Sequence, residues 1–279
     1  MWLLAATIVA NTSFALILRA AQRRKANDVG VGMFNYIFAS AVYWAIGGIA
    51  RPEGAATGGV YGLIAGCFNV TIFLLLLPAM RFKGVAISIA MVRLAAVIPM
   101  GAAILMWHEA PSQIQAVGII LALLALPMLS LDKGVNHEPL TARRIMVLLG
   151  LFVSNGMTLL MMKAFQETGF VAARSIYLAM VFSIGALVCG VAWLRTRTSP
   201  LGWTEVKWGV LLGISNAATN ILIFYTLDVL LASVMFPILA AVGLSLTTVF
   251  AAVMWREIPG RLGWMGIVIA VVAVGLANR

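Results

Sequence analysis

The sequence predicts an all-α integral membrane protein of ten transmembrane helices, arranged as two inverted five-helix repeats. Three observations lead to this fold class. Of the 279 residues, 63% are hydrophobic and 10% are charged, whereas a soluble domain carries about 25% charged residues. The mean hydropathy is +1.05, so too few polar residues remain to cover a soluble surface. Motifs of the first half also return in the second half, in the same order.

Three motif pairs define the repeat. In chain order they are Asn11 with Arg19 returning as Asn155 with Lys163, GxxxGxxN at 62–69 returning at 209–216, and MWHEAP at 106–111 returning as MWREIP at 254–259. The offsets of 144, 147 and 148 residues indicate one duplicated unit with small gaps in its loops. The chain then divides into a first repeat at 1–133, a connecting loop at 134–144 and a second repeat at 145–279.

Ten segments are long enough to span a bilayer, which takes about 20 apolar residues. They lie at about 2–20, 30–50, 58–79, 85–107, 111–131, 145–165, 170–194, 206–227, 229–255 and 260–277. The fourth and fifth spans, and the ninth and tenth, are separated by a Glu and a Pro, which indicate an interfacial turn. The first span has no charged segment before it, so we expect a retained helix rather than a cleaved signal peptide.

An odd number of spans per half predicts that the two halves enter the membrane in opposite orientations. Inverted repeats of this kind usually hold a substrate between them near the bilayer midplane. Connections after odd-numbered spans carry 14 Lys and Arg residues, and the other side carries four. The positive-inside rule then places both termini outside the cytoplasm, and we expect a bacterial inner membrane as the location.

Composition and motifs argue against several classes of function. The net charge of +10 lies mostly in short connections between apolar segments, which favours anionic lipid over nucleic acid as a partner. The chain has no Walker A loop, and its two histidines form no catalytic set with other residues. Cys67 and Cys189 lie in apolar segments, where we expect buried free thiols. We therefore expect no enzyme, no cofactor and no metal.

Amide side chains inside the spans are the first candidates for binding residues. They are Asn11, Asn69, Asn155, Asn216 and Asn220, of which the first four form two repeat-related pairs. A buried amide needs a hydrogen-bond partner, so these side chains face the bundle interior or a wet cavity. They serve either as hydrogen bonds between helices or as substrate ligands, and the sequence leaves both open. Tyr36 and Tyr177 are candidates for the cavity wall, with packing as the alternative.

Arg93 is the one formal charge near the centre of a predicted span, and an ionisable residue there is a candidate functional site. We hypothesise that it faces a water-filled cavity and binds an anionic group such as a carboxylate, which its planar guanidinium fits. The alternatives are an arginine held by backbone carbonyls and amides, or one that snorkels to the interface. Pro99 and Pro237 remove backbone hydrogen bonds within their spans and are hinge candidates, with static kinks as the alternative.

Glu109 and Glu257 are the acids of the repeated hexapeptide, each two residues after a tryptophan of the interfacial type. We expect them to cap helices at the membrane boundary rather than to carry protons. No carboxylate lies at the centre of a predicted span, so the sequence does not support proton-driven antiport through a buried acid. Exchange, uniport and other coupling stay open.

The two hexapeptides, each followed by a glycine-containing final span, resemble the junctions of the drug/metabolite transporter superfamily, in particular its EamA-type members. The resemblance covers the whole chain, and the glutamate of the junction is typical of that family. It implies ten helices around a central cavity with alternating access, and relatives that move amino acids, sugars, nucleotide-sugars, drugs or other metabolites. The basic residues after the first span depart from the termini-inside arrangement of many relatives.

The sequence thus predicts a secondary transporter of a small polar organic solute, with no ATP hydrolysis, working as a monomer or homodimer. The solute could carry a carboxylate or another anionic group that meets Arg93. The alternatives are a lipid-linked sugar flippase, which would accept an isoprenoid tail through a lateral opening, and a structural membrane subunit that transports nothing. The sequence does not distinguish import from export.

Overall fold

The chain folds into α-helices joined by short connections. The computed structural model describes residues 2–24, 26–47, 52–131, 141–196, 202–255 and 260–277, and no β-strand occurs among them. The helices are α1 (Trp2–Arg23), α2 (Asp28–Gly47), α3 (Ala55–Leu94), α4 (Val97–Met106), α5 (Gln113–Leu131), α6 (Ala142–Gln166), α7 (Arg174–Thr196), α8 (Trp203–Leu227), α9 (Ala232–Trp255) and α10 (Arg261–Ala277). One turn of 3₁₀ helix, Val171–Ala173, leads into α7.

Seven helices in the described part of the chain are long and apolar enough to cross a membrane. They are α1, α2, the part of α3 at Ala55–Leu75, α6, α7 with its 3₁₀ turn, α8 and α9. Shorter apolar helices lie at Met91–Met106, Gln113–Leu126 and Arg261–Ala273. The chain therefore has the architecture of a multi-pass membrane protein. Pro237, a hinge candidate, lies inside α9, and the helix continues through it.

The main departure from the predicted spans is α3, which runs unbroken for 40 residues. The sequence predicted two spans here, 58–79 and 85–107, with a connection around Arg81 and Lys83. That prediction placed Arg81 and Lys83 in a connection between two apolar stretches of span length. Arg and Lys are themselves good helix formers, however, so a pair of charges does not end a helix. The interruption comes instead at Ala95–Ala96.

Pro99 explains why the helix is interrupted at that point. It is the third residue of α4 and has no amide hydrogen to donate to the carbonyl of Ala95, four residues back. The Ala95 carbonyl instead accepts from the Ile98 amide at 3.0 Å, and the Ala96 amide donates to the carbonyl of Arg93 at 3.2 Å. Both bonds span three residues, so the chain tightens into a kink directly after Arg93. A hinge at this kink stays a prediction.

The glycines of the repeated GxxxGxxN pattern lie where helices approach most closely. A β-carbon on Gly62 in α3 would overlap the carbonyl oxygen of Tyr177 in α7. A β-carbon on Gly209 in α8 would lie 2.9 Å from the carbonyl oxygen of Val31 in α2. Helices α2 and α7 also pack on each other. The glycines therefore allow close packing at this four-helix contact, as their spacing predicts.

Aromatic rings fill the core near one end of this contact. Tyr177 is 1% exposed, its ring stacks on Phe165 with centroids 5.0 Å apart, and it meets Phe224 edge-on at 5.4 Å. It is thus packed among other rings, the alternative that the sequence left open. Of the two free thiols, Cys189 is buried but Cys67 is exposed on α3. The expectation that Cys67 is buried was wrong, because apolar surroundings in the sequence do not distinguish a lipid-facing position from a core position.

Candidate functional site

The repeat-related asparagines Asn11 and Asn155 reach neighbouring residues of α3 from two different helices. Asn11 in α1 accepts a hydrogen bond at Oδ1 from Nη1 of Arg93, at 3.1 Å. Asn155 in α6 donates from Nδ2 to the carbonyl oxygen of Val92, at 2.7 Å. One amide side chain from each half of the chain therefore forms a hydrogen bond with the last turn of α3.

The kink after Arg93 accounts for the bond that Asn155 makes. In an uninterrupted helix the Val92 carbonyl would accept from the amide of Ala96. That amide bonds instead to the Arg93 carbonyl, so the Val92 oxygen loses its usual partner. A buried carbonyl without a partner is costly, and the Asn155 amide satisfies it. This bond favours the structural alternative for part of the Asn155 side chain.

The contacts of Arg93 place it at the middle depth of the bundle. Asn11 is the tenth of the 22 residues of α1, and Asn155 is the fourteenth of the 25 residues of α6. Gly243, the twelfth of 24 residues in α9, also faces the pair. A β-carbon there would lie 3.0 Å from Oδ1 of Asn11 and 3.9 Å from Nη1 of Arg93. The guanidinium thus lies near the midpoints of α1 and α9.

The second pair of repeat-related asparagines converges on α2 in the same way. Asn69 in α3 accepts at Oδ1 from the hydroxyl of Tyr36, at 3.1 Å. Asn216 in α8 donates to Oδ1 of the adjacent residue Asn35, at 3.2 Å. Asn220 donates back to the carbonyl and side-chain oxygens of Asn216, both at 2.9 Å. The structure therefore brings Asn69 to Tyr36 and Asn216 to Asn220. The sequence had indicated Asn35 only as a weaker candidate than the four repeat-related asparagines.

These polar side chains keep part of their surface accessible. Of the predicted residues, the five asparagines, Arg93 and Tyr36 are all of intermediate exposure, whereas Asn35 is 2% exposed. The hydrogen bonds among the described residues also use only part of their capacity, since a guanidinium has five donors and an amide has two donors and an acceptor. Partial exposure and spare capacity are what ligand-binding amides need.

Glu109 closes one end of the bundle, where α4, α6 and α8 finish. Its carboxylate accepts from Nζ of Lys163 at 2.8 Å and from the Ala232 amide at 3.1 Å. It also accepts from the amide and hydroxyl of Ser233, at 2.8 and 2.7 Å. The two amides that donate to Glu109 belong to the first turn of α9, so Glu109 caps this helix. The prediction of a capping role is confirmed for Glu109. We call this group of residues the Glu109 clasp.

The Glu109 clasp is buried and strongly ionic. The side chains of Glu109 and Lys163 are 7% and 5% exposed. Burial alone would raise the pKa of the Glu109 carboxyl, but the hydrogen bonds from Lys163, Ser233 and the Ala232 amide outweigh burial and hold that pKa below its usual range. Lys163 also pairs with Glu167 and lies over the ring of Trp107, at 5.7 Å.

A second ion pair lies at the same end of the bundle. Arg174, at the start of α7, holds the carboxylate of Asp228 through both terminal nitrogens, one of them at 2.7 Å. Its guanidinium also faces Phe224, 5.3 Å from the ring centroid. Sequence analysis missed Lys163 and Arg174 as partners of acids. The repeat offered one signal, because it aligns Lys163 with Arg19 and so indicates a cation at equivalent positions.

Two cavities lie at the same end of the bundle. One of about 320 Å³ lies between α3, α4 and α6 and is lined by Tyr61, Trp107 and Glu167 among others. The other, of about 380 Å³, lies between α2, α7 and α8 beside Tyr43 and Arg174. None of the five predicted asparagines lines either cavity. Glu257 and Pro259, the counterparts of Glu109 and Pro111, lie outside the described residues, as does most of the connecting loop at 134–144.

Comparison with known proteins shows a recurring fold. No family model matches the chain. Among curated proteins, an uncharacterized protein of Haemophilus influenzae is 26% identical over 219 residues, which cover 76% of this chain and 72% of that protein. A crystal structure superposes with a TM-score of 0.74 at 15% identity, over 99% of this chain and 95% of the other. The helical fold described above therefore occurs in a protein of known structure.

Proposed function

We propose that the protein is a secondary transporter of a small polar organic solute, built from two inverted five-helix repeats and working by alternating access. The observation that carries the proposal is that repeat-related amides from both halves bond to the same helix segments. Asn11 and Asn155 bond to adjacent residues at the end of α3, and Asn69 and Asn216 bond to adjacent residues of α2. Each segment thus contacts one side chain from each half, at a depth where polar groups are costly and usually functional.

Contacts at the helix ends support the inverted arrangement of the halves. The hydroxyls of Thr7, near the start of α1, and Thr226, near the end of α8, are 2.8 Å apart. Gln166, the last residue of α6, donates to the carbonyl of Leu227 at 3.5 Å. The start of α1 and the end of α6 therefore lie at the same end of the bundle. Because these two helices are repeat-related, opposite directions are what an inverted repeat requires.

The groups at this end of the bundle support a closed state on one side of the membrane. The Glu109 clasp joins a connection of the first half to α6 and α9 of the second half. Tyr43 in α2 donates to the carbonyl of Ala217 in α8, at 2.6 Å. The aromatic cluster around Tyr177 fills the space between. A carrier closed on one side keeps such contacts until its two halves rock apart.

Counterflow in liposomes tests the proposal. Purified protein would be reconstituted with one unlabelled solute inside, and entry of the labelled solute measured for amino acids, sugars, nucleosides and short carboxylic acids in turn. We expect saturable counterflow for at least one class. In the Asn69→Ala/Asn216→Ala variant the rate of counterflow should fall at least about tenfold, which corresponds to about 1.4 kcal/mol, because both amides that contact α2 are removed.

Two controls define the result. The Ile64→Ala/Leu211→Ala variant changes exposed apolar residues of the same two helices and should keep full counterflow. Flux no greater than that of protein-free liposomes, for every solute class, would contradict the proposal.

A further inference from the structure

Among the described residues, the buried cations Lys163 and Arg174 are paired with acids, whereas Arg93, which is of intermediate exposure, is not. The side chains of Lys163 and Arg174 are each 5% exposed, and each forms an ion pair with a carboxylate. Arg93 lies deeper in the bundle than these two cations, yet the one hydrogen bond of its guanidinium among the described residues goes to a neutral amide oxygen of Asn11. A charge taken out of water without a counter-charge is strongly unfavourable.

The distribution of acids explains why the chain itself does not supply that counter-charge. Of the nine acidic residues, six are described, and all six lie at helix ends or in connections: Asp28, Glu53, Glu109, Glu167, Glu205 and Asp228. None of these six pairs with Arg93. The remaining three, Asp132, Glu138 and Glu257, lie in predicted connections rather than in spans. No described carboxylate therefore neutralises the Arg93 guanidinium, which lies near the midpoints of α1 and α9.

Among the described contacts, most donors of the Arg93 guanidinium are available to a ligand. Gly243 of α9 approaches the Asn11–Arg93 pair closely, since a β-carbon there would lie 3.0 Å from Oδ1 of Asn11 and 3.9 Å from Nη1 of Arg93. Asn11 fixes one Nη atom, which orients the planar fork and leaves other donors unused among the described contacts. A carboxylate or a similar oxyanion accepts two parallel hydrogen bonds from such a fork.

We propose that Arg93 is the anion-binding residue of the transport site, that Asn11 positions it, and that the solute carries a carboxylate or similar oxyanion which supplies the missing counter-charge. This inference deepens the proposed function and rests on it. It assigns the solute class from a cation inside the bundle that pairs with none of the described acids.

Thermal unfolding of the purified protein with matched ligand pairs tests the inference directly. The probes are acetate, butyrate and benzoate, each against its amide, acetamide, butyramide and benzamide, at equal concentration and constant ionic strength. We expect at least one acid to raise the Tm by about 2 °C or more above its amide, because a ligand that binds the folded state stabilises it. Arg93→Gln should abolish the difference, Arg93→Lys should keep part of it, and Arg143→Gln, at the exposed start of α6, should keep all of it. Equal shifts for acids and amides in every pair, or an acid effect that survives in Arg93→Gln, would overturn the inference.

The stability of the unliganded variants provides a second readout. Arg93→Gln should not lower the Tm, because it removes an uncompensated charge and Gln can still donate to Asn11. Arg174→Gln should lower it clearly, because it leaves Asp228 without its partner. A fall in Arg93→Gln as large as that in Arg174→Gln would make Arg93 a structural group and overturn the inference. The two proposals fail separately: counterflow of neutral solutes that Arg93→Gln leaves unchanged overturns the anion site alone, whereas absence of all counterflow overturns the transporter.

Discussion

At the scale of single residues, Glu109 shows how one side chain joins separate parts of the fold. It belongs to the connection between α4 and α5, yet its partners belong to α6 and α9. Four donors surround a carboxylate that is 7% exposed. Hydrogen bonds to a buried charge contribute more than neutral ones, about 1.5–3 kcal/mol each. The carboxylate therefore fixes the position of the connection relative to two helices.

We expect Glu109→Gln to lower the free energy of unfolding by about 2–4 kcal/mol, because Gln keeps an acceptor but loses the ion pair with Lys163. The Tm in detergent measures the effect. Since the pKa of Glu109 is lowered in the folded state, its contribution is complete above its unfolded pKa of about 4.3 and disappears as the pH falls through the folded value. The Tm of the wild type should therefore fall more steeply below about pH 4.3 than that of Glu109→Gln.

Glu53→Gln is the matched control for Glu109. Glu53 lies just before α3 and is exposed, so its replacement should change stability by less than about 0.5 kcal/mol. Equal Tm values for the two variants at neutral pH would mean that the Glu109 clasp contributes no stability.

At the scale of helices, neighbouring glycines in α3 differ in what they face. The β-carbon of an alanine at 62 would overlap the Tyr177 carbonyl, whereas at Gly59 nothing lies within 4 Å. We expect Gly62→Ala to destabilise the protein by about 1–3 kcal/mol, through a forced shift of α3 from α7. Gly59→Ala should be neutral or stabilise by up to about 1 kcal/mol, because alanine is the better helix former. Thermal unfolding of the two variants checks this contrast, and a Gly62→Ala variant as stable as Gly59→Ala would contradict the close contact.

Helix existence was predictable from the sequence, but the interruption of α3 was not. Apolar stretches of about 20 residues specify helices in a membrane because no other open structure satisfies the backbone there. The position of a break depends on local hydrogen bonding. Pro99 removes one amide donor, and the break lies at Ala95–Ala96. The charges of Arg81 and Lys83 had instead indicated a connection earlier in the chain. The same kink frees the Val92 carbonyl and so determines the partner of Asn155.

At the scale of the whole molecule, the repeat identified side chains that reach one helix from both halves of the chain, but not the atoms that they contact. Internal spacing identified Asn69 with Asn216 and Asn11 with Asn155, and the structure brings each pair to one helix. The partners differ in type between the two helices. On α2 they are an amide and a phenol, and on α3 they are a guanidinium and a backbone carbonyl. Matching motifs identify corresponding positions, whereas the residues around each position decide which side chain lies opposite.

The proposed transport function requires that water reaches the amides at the middle of this bundle. Cysteine labelling tests it most directly, in a Cys67→Ala/Cys189→Ala background, with a charged, membrane-impermeant methanethiosulfonate applied to both faces of the membrane. We predict that Asn69→Cys and Asn216→Cys react at least about tenfold faster than Ile64→Cys and Leu211→Cys, exposed apolar positions on the same two helices, because a thiol in hydrocarbon does not ionise. Equal, negligible labelling at all four positions would mean that the amides only hold helices together, and it would contradict a transport path through this centre.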